Sequence, residues 1–154
     1  MAPLQSVVAS FVTAEHRLQE TVARIPPDRW LAPSSNAGWT FKDLLAHLAT
    51  GDWICQRLLR GLLETGAVPE FPDADAGNAE RVSARRGKSV SELGRERAQH
   101  RTDTIRLIAQ LHPDHLDRPI NMPWLSARVA PFRLYLQTFP AHDIEHTQEL
   151  IAIA

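Results

Sequence analysis

The sequence predicts an all-α fold, a four-helix bundle. Three observations lead there. Apolar residues recur at helical spacing in four separate segments, no segment shows convincing strand alternation, and a polar stretch near the middle is long enough to join two parallel helices. Amphipathic helices must bury their stripes against one another. At 154 residues the expectation is one domain, residues 1–154, around one core.

In the first segment Leu4, Val7, Val8, Phe11, Leu18, Val22 and Ile25 form the stripe, and Pro26 and Pro27 end the helix. A loop with Pro33, Ser34, Ser35, Asn36 and Gly38 follows. Thr40 is an N-cap candidate, with Asp43 in the capping-box place. The second helix is expected from about Phe41 to Leu63, with Leu44, Leu48, Gly51, Cys55, Leu58 and Leu62 inward. From about Thr65 to Lys88 the chain is polar and rich in Pro, Gly, Ala and Asp, which reads as a long crossover. Within it Arg81, Arg85, Arg86 and Lys88 read as a solvated basic run. Ser89 or Ser91 starts a third helix that ends near Leu111, before Pro113. A second loop with Pro119, Pro123 and Trp124 leads to about Arg128, and Arg118 to Met122 leaves room for a short extended piece. The last helix runs from there to the end.

The formal net charge of -1 speaks against a nucleic-acid binder held by electrostatics. The single cysteine, Cys55, forms no disulfide within the chain and no cysteine-based zinc site, and its place on an apolar stripe reads as core. No apolar run is long enough to span a bilayer, and no signal-peptide pattern opens the sequence, so the expected setting is the cytoplasm.

Three histidines carry the chemistry. His142 and His146 are spaced i, i+4, on one helix face about a turn apart. His47 sits at the rim of the apolar stripe of the second helix. Metal sites in bundles are built from inward side chains on facing helices. Two ligands from one helix and a third from another make a three-histidine site for a divalent metal, zinc or nickel first. Such a site keeps a coordination position open for water or substrate.

Trp30, the run Gly38-Trp39-Thr40-Phe41-Lys42-Asp43-Leu44-Leu45-Ala46-His47-Leu48 and the later His142-Asp143-Ile144-Glu145-His146 stand in a telling order. In that order the chain resembles the DinB-like superfamily of damage-inducible four-helix-bundle proteins, over nearly its whole length. The resemblance implies an up-down-down-up bundle with a long crossover between helices two and three. It implies a divalent metal on His47, His142 and His146, and often a homodimer. Relatives include thiol-dependent transferases and mycothiol-dependent maleylpyruvate isomerases. The expected function is a metal-dependent transferase or hydrolase that uses a low-molecular-weight thiol on a small-molecule substrate. The alternatives are a non-enzymatic metal- or small-molecule-binding stress-response protein, or a mycothiol-dependent isomerase.

Further candidates surround the metal. Glu145 lies about 60° from His142 on a helical wheel and reads either as a general base or as a solvent-facing carboxylate. Asp43, one turn before His47, reads either as the acceptor of its second N–H or as the helix cap. Glu15 falls on an apolar face and must be paired, protonated or metal-bound. Arg97, His100 and Thr104 form a polar middle on the third helix. They suggest a cavity in which Arg97 holds an anionic substrate group and His100 moves protons, or else an offset helix edge. Trp39, Trp53, Trp124 and Tyr135 are candidates for a pocket wall, with plain packing as the other reading.

Overall fold

The computed structural model describes residues 3–122 and 129–154. Four long helical segments make the bundle. They are α1 (Pro3–Val22), α2 and α3 in tandem (Phe41–Thr50 and Trp53–Thr65), α5 (Val90–Ala109) and α7 (Phe132–Ile151). Between α3 and α5 lies a shorter helix, α4 (Ala74–Ser83). A one-turn α6 (Pro113–Leu116) and a two-stranded antiparallel pair, β1 (Pro119–Asn121) and β2 (Val129–Pro131), lead into α7.

Local chemistry sets the helix starts. The Thr40 hydroxyl accepts from the Asp43 N–H, and the Asp43 carboxylate accepts from the Thr40 N–H, a reciprocal box. Ser89 and Glu92 repeat the device at α5. Gly66 ends α3 with φ +75°, a left-handed conformation that disfavours side chains.

Helix directions follow from paired residues. Lys42 Nζ donates to the Arg86 and Lys88 carbonyls at the head of α5. Further along, Leu48 meets Arg97, Asp52 meets Arg101 and Gln56 meets Thr104. The numbers rise together, so α2–α3 and α5 run parallel. On α1 and α7, Phe11 shares a core cluster with Phe132 and Leu136, and Leu18 shares one with Leu150, again in rising order. His47 meets His142 while Ser35 meets Glu149, so α2 and α7 oppose each other. The result is the up-down-down-up bundle, and its parallel pair requires the long crossover.

The apolar core has two parts. One gathers Phe11, Cys55, Leu58, Leu62, Ile108, Phe132 and Leu136 around α3 and the start of α7. The other gathers Leu18, Trp30, Leu44, Leu48, Leu93 and Leu150 at the opposite end. Each fully buried Leu or Phe contributes on the order of 1.5–3 kcal/mol, so these clusters carry the fold.

A layer of buried charge crosses the bundle between them. Arg97 Nε donates to Glu15 (2.6 Å), its Nη1 to the Leu48 carbonyl (2.7 Å) and its Nη2 to Asp143 (2.9 Å). Arg101 Nη2 bridges Asp143 and Asp52, and the Thr104 hydroxyl completes Asp52 at 2.8 Å. Arg97, Arg101, Asp52 and Asp143 are all buried to within 2% exposure. Burial alone would raise the Asp143 carboxyl. The guanidiniums of Arg97 and Arg101 and its contact with His142 outweigh burial and hold the group well below the usual carboxylate range.

Several expectations are corrected. The second helix is not continuous to Leu63 but breaks at Gly51 and Asp52. There the Leu48 carbonyl accepts from Gly51 N–H (3.4 Å) and from Arg97, and Asp52 turns its side chain to Arg101. The polar stretch is not all loop. It contains α4, started by Asp73 accepting from Ala76 N–H. Gly77 lets α4 lie flat on Trp53, because an added Cβ would stand 2.4 Å from that ring. The last helix begins at Phe132 rather than near Arg128, after the β1–β2 pair that the Arg118 to Met122 stretch left room for. Around Arg97 the polar middle of the third helix is an ion-pair layer rather than a cavity, because Arg97 and Arg101 meet carboxylates from outside α5, whereas His100 faces Glu96 on α5 itself at 3.6 Å. Pro123, Trp124 and Arg128 lie outside the described residues.

The crossover is tied to α5 through Glu96, which accepts from Arg85 (2.8 Å) and Lys88 (2.7 Å). Burial would raise this carboxyl, but the hydrogen bonds from Arg85 and Lys88 outweigh it and pull it down to about 2. A depressed carboxylate stabilises the fold fully above its unfolded value and ceases to as pH falls through the folded one. The thermal midpoint of Glu96→Gln is therefore expected to lie below that of wild type at pH 6. The gap should close between about pH 4.5 and 2. A gap that stays constant with pH would show that Glu96 does not hold the crossover.

Candidate metal centre

His47 lies in the last turn of α2, which the Thr40–Asp43 cap aims into the bundle. His142 and His146 lie one turn apart on α7, just after Pro140, which lacks the N–H that would bond the Leu136 carbonyl. The three Nε2 atoms converge. His142 Nε2 is 3.1 Å from His47 Nε2 and 3.1 Å from His146 Nε2. The ligand atoms of all three rings fall within 4.8 Å of one another. A tetrahedral zinc site with bonds of about 2.05 Å has edges of about 3.3 Å, so the spacing suits one small cation.

Electrostatics favour the neutral rings that metals need. Burial, followed by the neighbouring His142 and His146, pushes His47 down to about 3, which keeps it uncharged at neutral pH. The His146 Nδ1 faces the Glu149 carboxylate at 2.7 Å, which places the ring proton on Nδ1 and leaves the Nε2 lone pair free. Burial would raise Glu149, but the Ser35 hydroxyl and His146 outweigh it and lower the group. His142 Nδ1 lies 3.9 Å from Asp143, its neighbour in the ion layer. His47 Nδ1 is buried with no partner among the described residues.

Two cavities open beside the cluster, and both are lined by His47, His142 and Asn78. One, about 290 Å³, has apolar walls including Ile54, Phe71, Tyr135 and Phe139. The other, about 470 Å³, is more polar and includes Asn36, Trp39, Asp75 and His146. The His142 side chain is 40% exposed, so the cluster opens to these chambers.

The structure brings His47, His142, His146, Trp39 and Tyr135 together. The Trp39 ring centroid is 5.4 Å from that of His47. Tyr135 walls the apolar chamber, and burial lifts its phenol well above its ordinary value, so it stays protonated. The other candidates go elsewhere. Asp43 caps its helix and does not receive the His47 N–H. Glu145 is exposed on α7 and lines neither chamber. Arg97 has all three guanidinium nitrogens engaged in the ion layer, so it offers no free fork to a substrate. His100 lines a separate cleft. Trp53 packs under α4, donating to Asn78 (3.0 Å).

Sequence reasoning passed over Asp143, Arg101, Asp52 and Glu149. A signal for Asp143 existed. Leu136, Pro140, Asp143, Thr147 and Leu150 recur at steps of four and three and are all buried.

Fold and site together define a helical-bundle protein with a cluster of three histidines whose spacing could hold a metal ion. The chain belongs to the DinB superfamily, whose family model matches residues 10–150. Among solved structures it is similar to the mycothiol-dependent maleylpyruvate isomerase, with TM-score 0.77 and 14% identity, over 96% of this chain and 60% of that one. The chain thus spans about three fifths of the isomerase's length. It is also similar to YfiT from Bacillus subtilis, described as a probable metal-dependent hydrolase with an unusual four-helix bundle topology. That match has TM-score 0.73 and 12% identity, over 97% of this chain and 85% of that one. A third is the DinB-like protein YjoA from Bacillus subtilis, with TM-score 0.59 and 18% identity, over 96% of this chain and 89% of that one. At such identities the likeness concerns the fold. No curated protein matches the sequence. Among the described residues no helix is long and apolar enough to cross a membrane.

Proposed function

We propose that this protein is a metal-dependent enzyme of the thiol-using transferase or hydrolase class, with zinc or nickel held by His47, His142 and His146. The observation that carries this reading is the meeting of three histidine Nε2 atoms at the mouth of two chambers. When bound, such a cation lowers the pKa of a water or thiol and makes a nucleophile available near neutral pH. The chain's own residues do the rest. Glu149 fixes the His146 tautomer by accepting its Nδ1 proton. Ile54, Phe71, Tyr135 and Phe139 exclude water from one side and receive the apolar part of a small substrate. Trp39 and Asn36 wall the more polar side, which suits the thiol or leaving group. The exposed Glu145 and the distant His100 receive no proton-handling role. The resemblance to the family further supports a cytoplasmic setting and pairing of two copies.

The test loads the protein with zinc or nickel and supplies mycothiol, glutathione or cysteine with a soluble electrophile, and in a separate arm ester and amide substrates. Turnover that a chelator abolishes and the metal restores is expected in one arm. Full metal occupancy with no turnover in either arm would overturn the enzyme and leave a metal-binding module.

A further inference from the structure

A second concave site lies away from the histidines, between α3, α4 and α5. It is a cleft of about 420 Å³ whose walls include Trp53, Arg57, Arg60, Arg81, Arg85 and His100. None of the described residues lining it is acidic. That concentration stands out in a chain of formal net charge -1.

Most of this positive charge is unspent. Arg57 and Arg60 are exposed one turn apart on α3, and neither makes an ion pair or side-chain hydrogen bond among the described residues. The Arg81 guanidinium is stacked over the Trp53 ring at 3.9 Å and, among the described residues, spends only Nη1, on the Gly77 carbonyl at 3.2 Å. Stacking fixes the plane of the fork without consuming its remaining donors. Arg85 is the exception, since it shares Glu96 with Lys88 and donates to the Arg81 carbonyl. Burial lowers Arg81 below its usual value and Arg85 lowers it further, while Glu80 opposes them. A bound anion would relieve that crowding of like charge.

We propose that this cleft binds a phosphate-bearing small molecule, its charged oxygens held by Arg57, Arg60 and Arg81 beside the face of Trp53. Arginine forks match phosphate oxygens in pairs, and several around one concavity suit a multiply charged group better than a single carboxylate. The volume fits a small molecule. The same α4 lines both sites, through Asn78 at the histidines and through Arg81 here.

The test is isothermal titration with inorganic pyrophosphate at physiological salt, on wild type, Arg57→Ala/Arg60→Ala and Arg106→Ala. Arg106 is an exposed α5 arginine outside the cleft, paired among the described residues only with Asp103 at 3.5 Å. Saturable binding is expected in wild type. It should weaken at least about tenfold in the double variant and be unchanged in Arg106→Ala. The thermal midpoint of the double variant should match wild type. No saturable binding overturns the proposal, and so does equal weakening in Arg106→Ala, which would show diffuse surface charge. Binding that survives the double change runs through another site, the histidine metal included, and overturns it too. A short single-stranded oligonucleotide that binds through the same two arginines more tightly than pyrophosphate would replace the small molecule with nucleic acid.

Discussion

His142→Ala is expected to leave the protein folded and essentially without metal. His142 Nε2 stands 3.1 Å from each of the other two ligand atoms, so it is the member that completes the cluster. Two imidazoles on separate helices remain, and two ligands hold zinc far less well than three. The loss in affinity should exceed the roughly 10–100-fold that follows loss of an outer hydrogen-bonding partner. Glu149→Gln supplies that comparison, because it keeps every ligand and removes only the carboxylate facing His146 Nδ1. Elemental analysis of untagged protein should find near-stoichiometric metal in wild type, less in Glu149→Gln and almost none in His142→Ala. Equal metal in wild type and His142→Ala would sink the assignment of the centre.

The largest loss of stability is expected at Arg97. Arg97→Ala removes the cation between Glu15 and Asp143 and the donor to the Leu48 carbonyl. Breaking a buried ion pair by removing one partner costs about 3–5 kcal/mol, because the remaining charge has no water to replace the lost group. Arg97→Met fills similar volume without charge and should lose a comparable amount, which separates lost charge from lost packing. Chemical denaturation at neutral pH reads both. A midpoint within experimental error of wild type for either variant would mean that the layer carries no net structural weight.

Much of the fold was legible because it is written locally. The four apolar stripes are visible at helical spacing, and the Thr40 and Ser89 starts announce themselves within a few residues. The clustering of the three histidines was legible as well, since histidine is rare enough for order and spacing to matter. What stayed hidden depends on partners far along the chain. The break at Gly51 and Asp52 is set by Arg97 and Arg101, nearly fifty residues away. The helix α4 buries only Val82 fully and packs through a glycine, so it shows almost no stripe. Arg97 looked like a substrate clamp because a sequence shows a polar middle but not the carboxylates of α1 and α7 that meet it. Arg81 and Arg85 looked like solvated charge for the same reason. Their cleft forms only once the crossover folds back on α3.

The position of the ion layer gives the bundle an alignment gauge. Apolar surfaces are forgiving along a helix axis, and leucines that lose one set of neighbours find others. Charges are not forgiving, because Asp143 has its partners at a single height. His142 is the adjacent residue on the same backbone. Sliding α7 by one turn, about 5.4 Å, would strand Asp143 and carry His142 away from His47 in the same motion. A chain docked out of step therefore lacks both the pairing of its buried charges and the convergence of its histidines, and only the correctly indexed bundle has either.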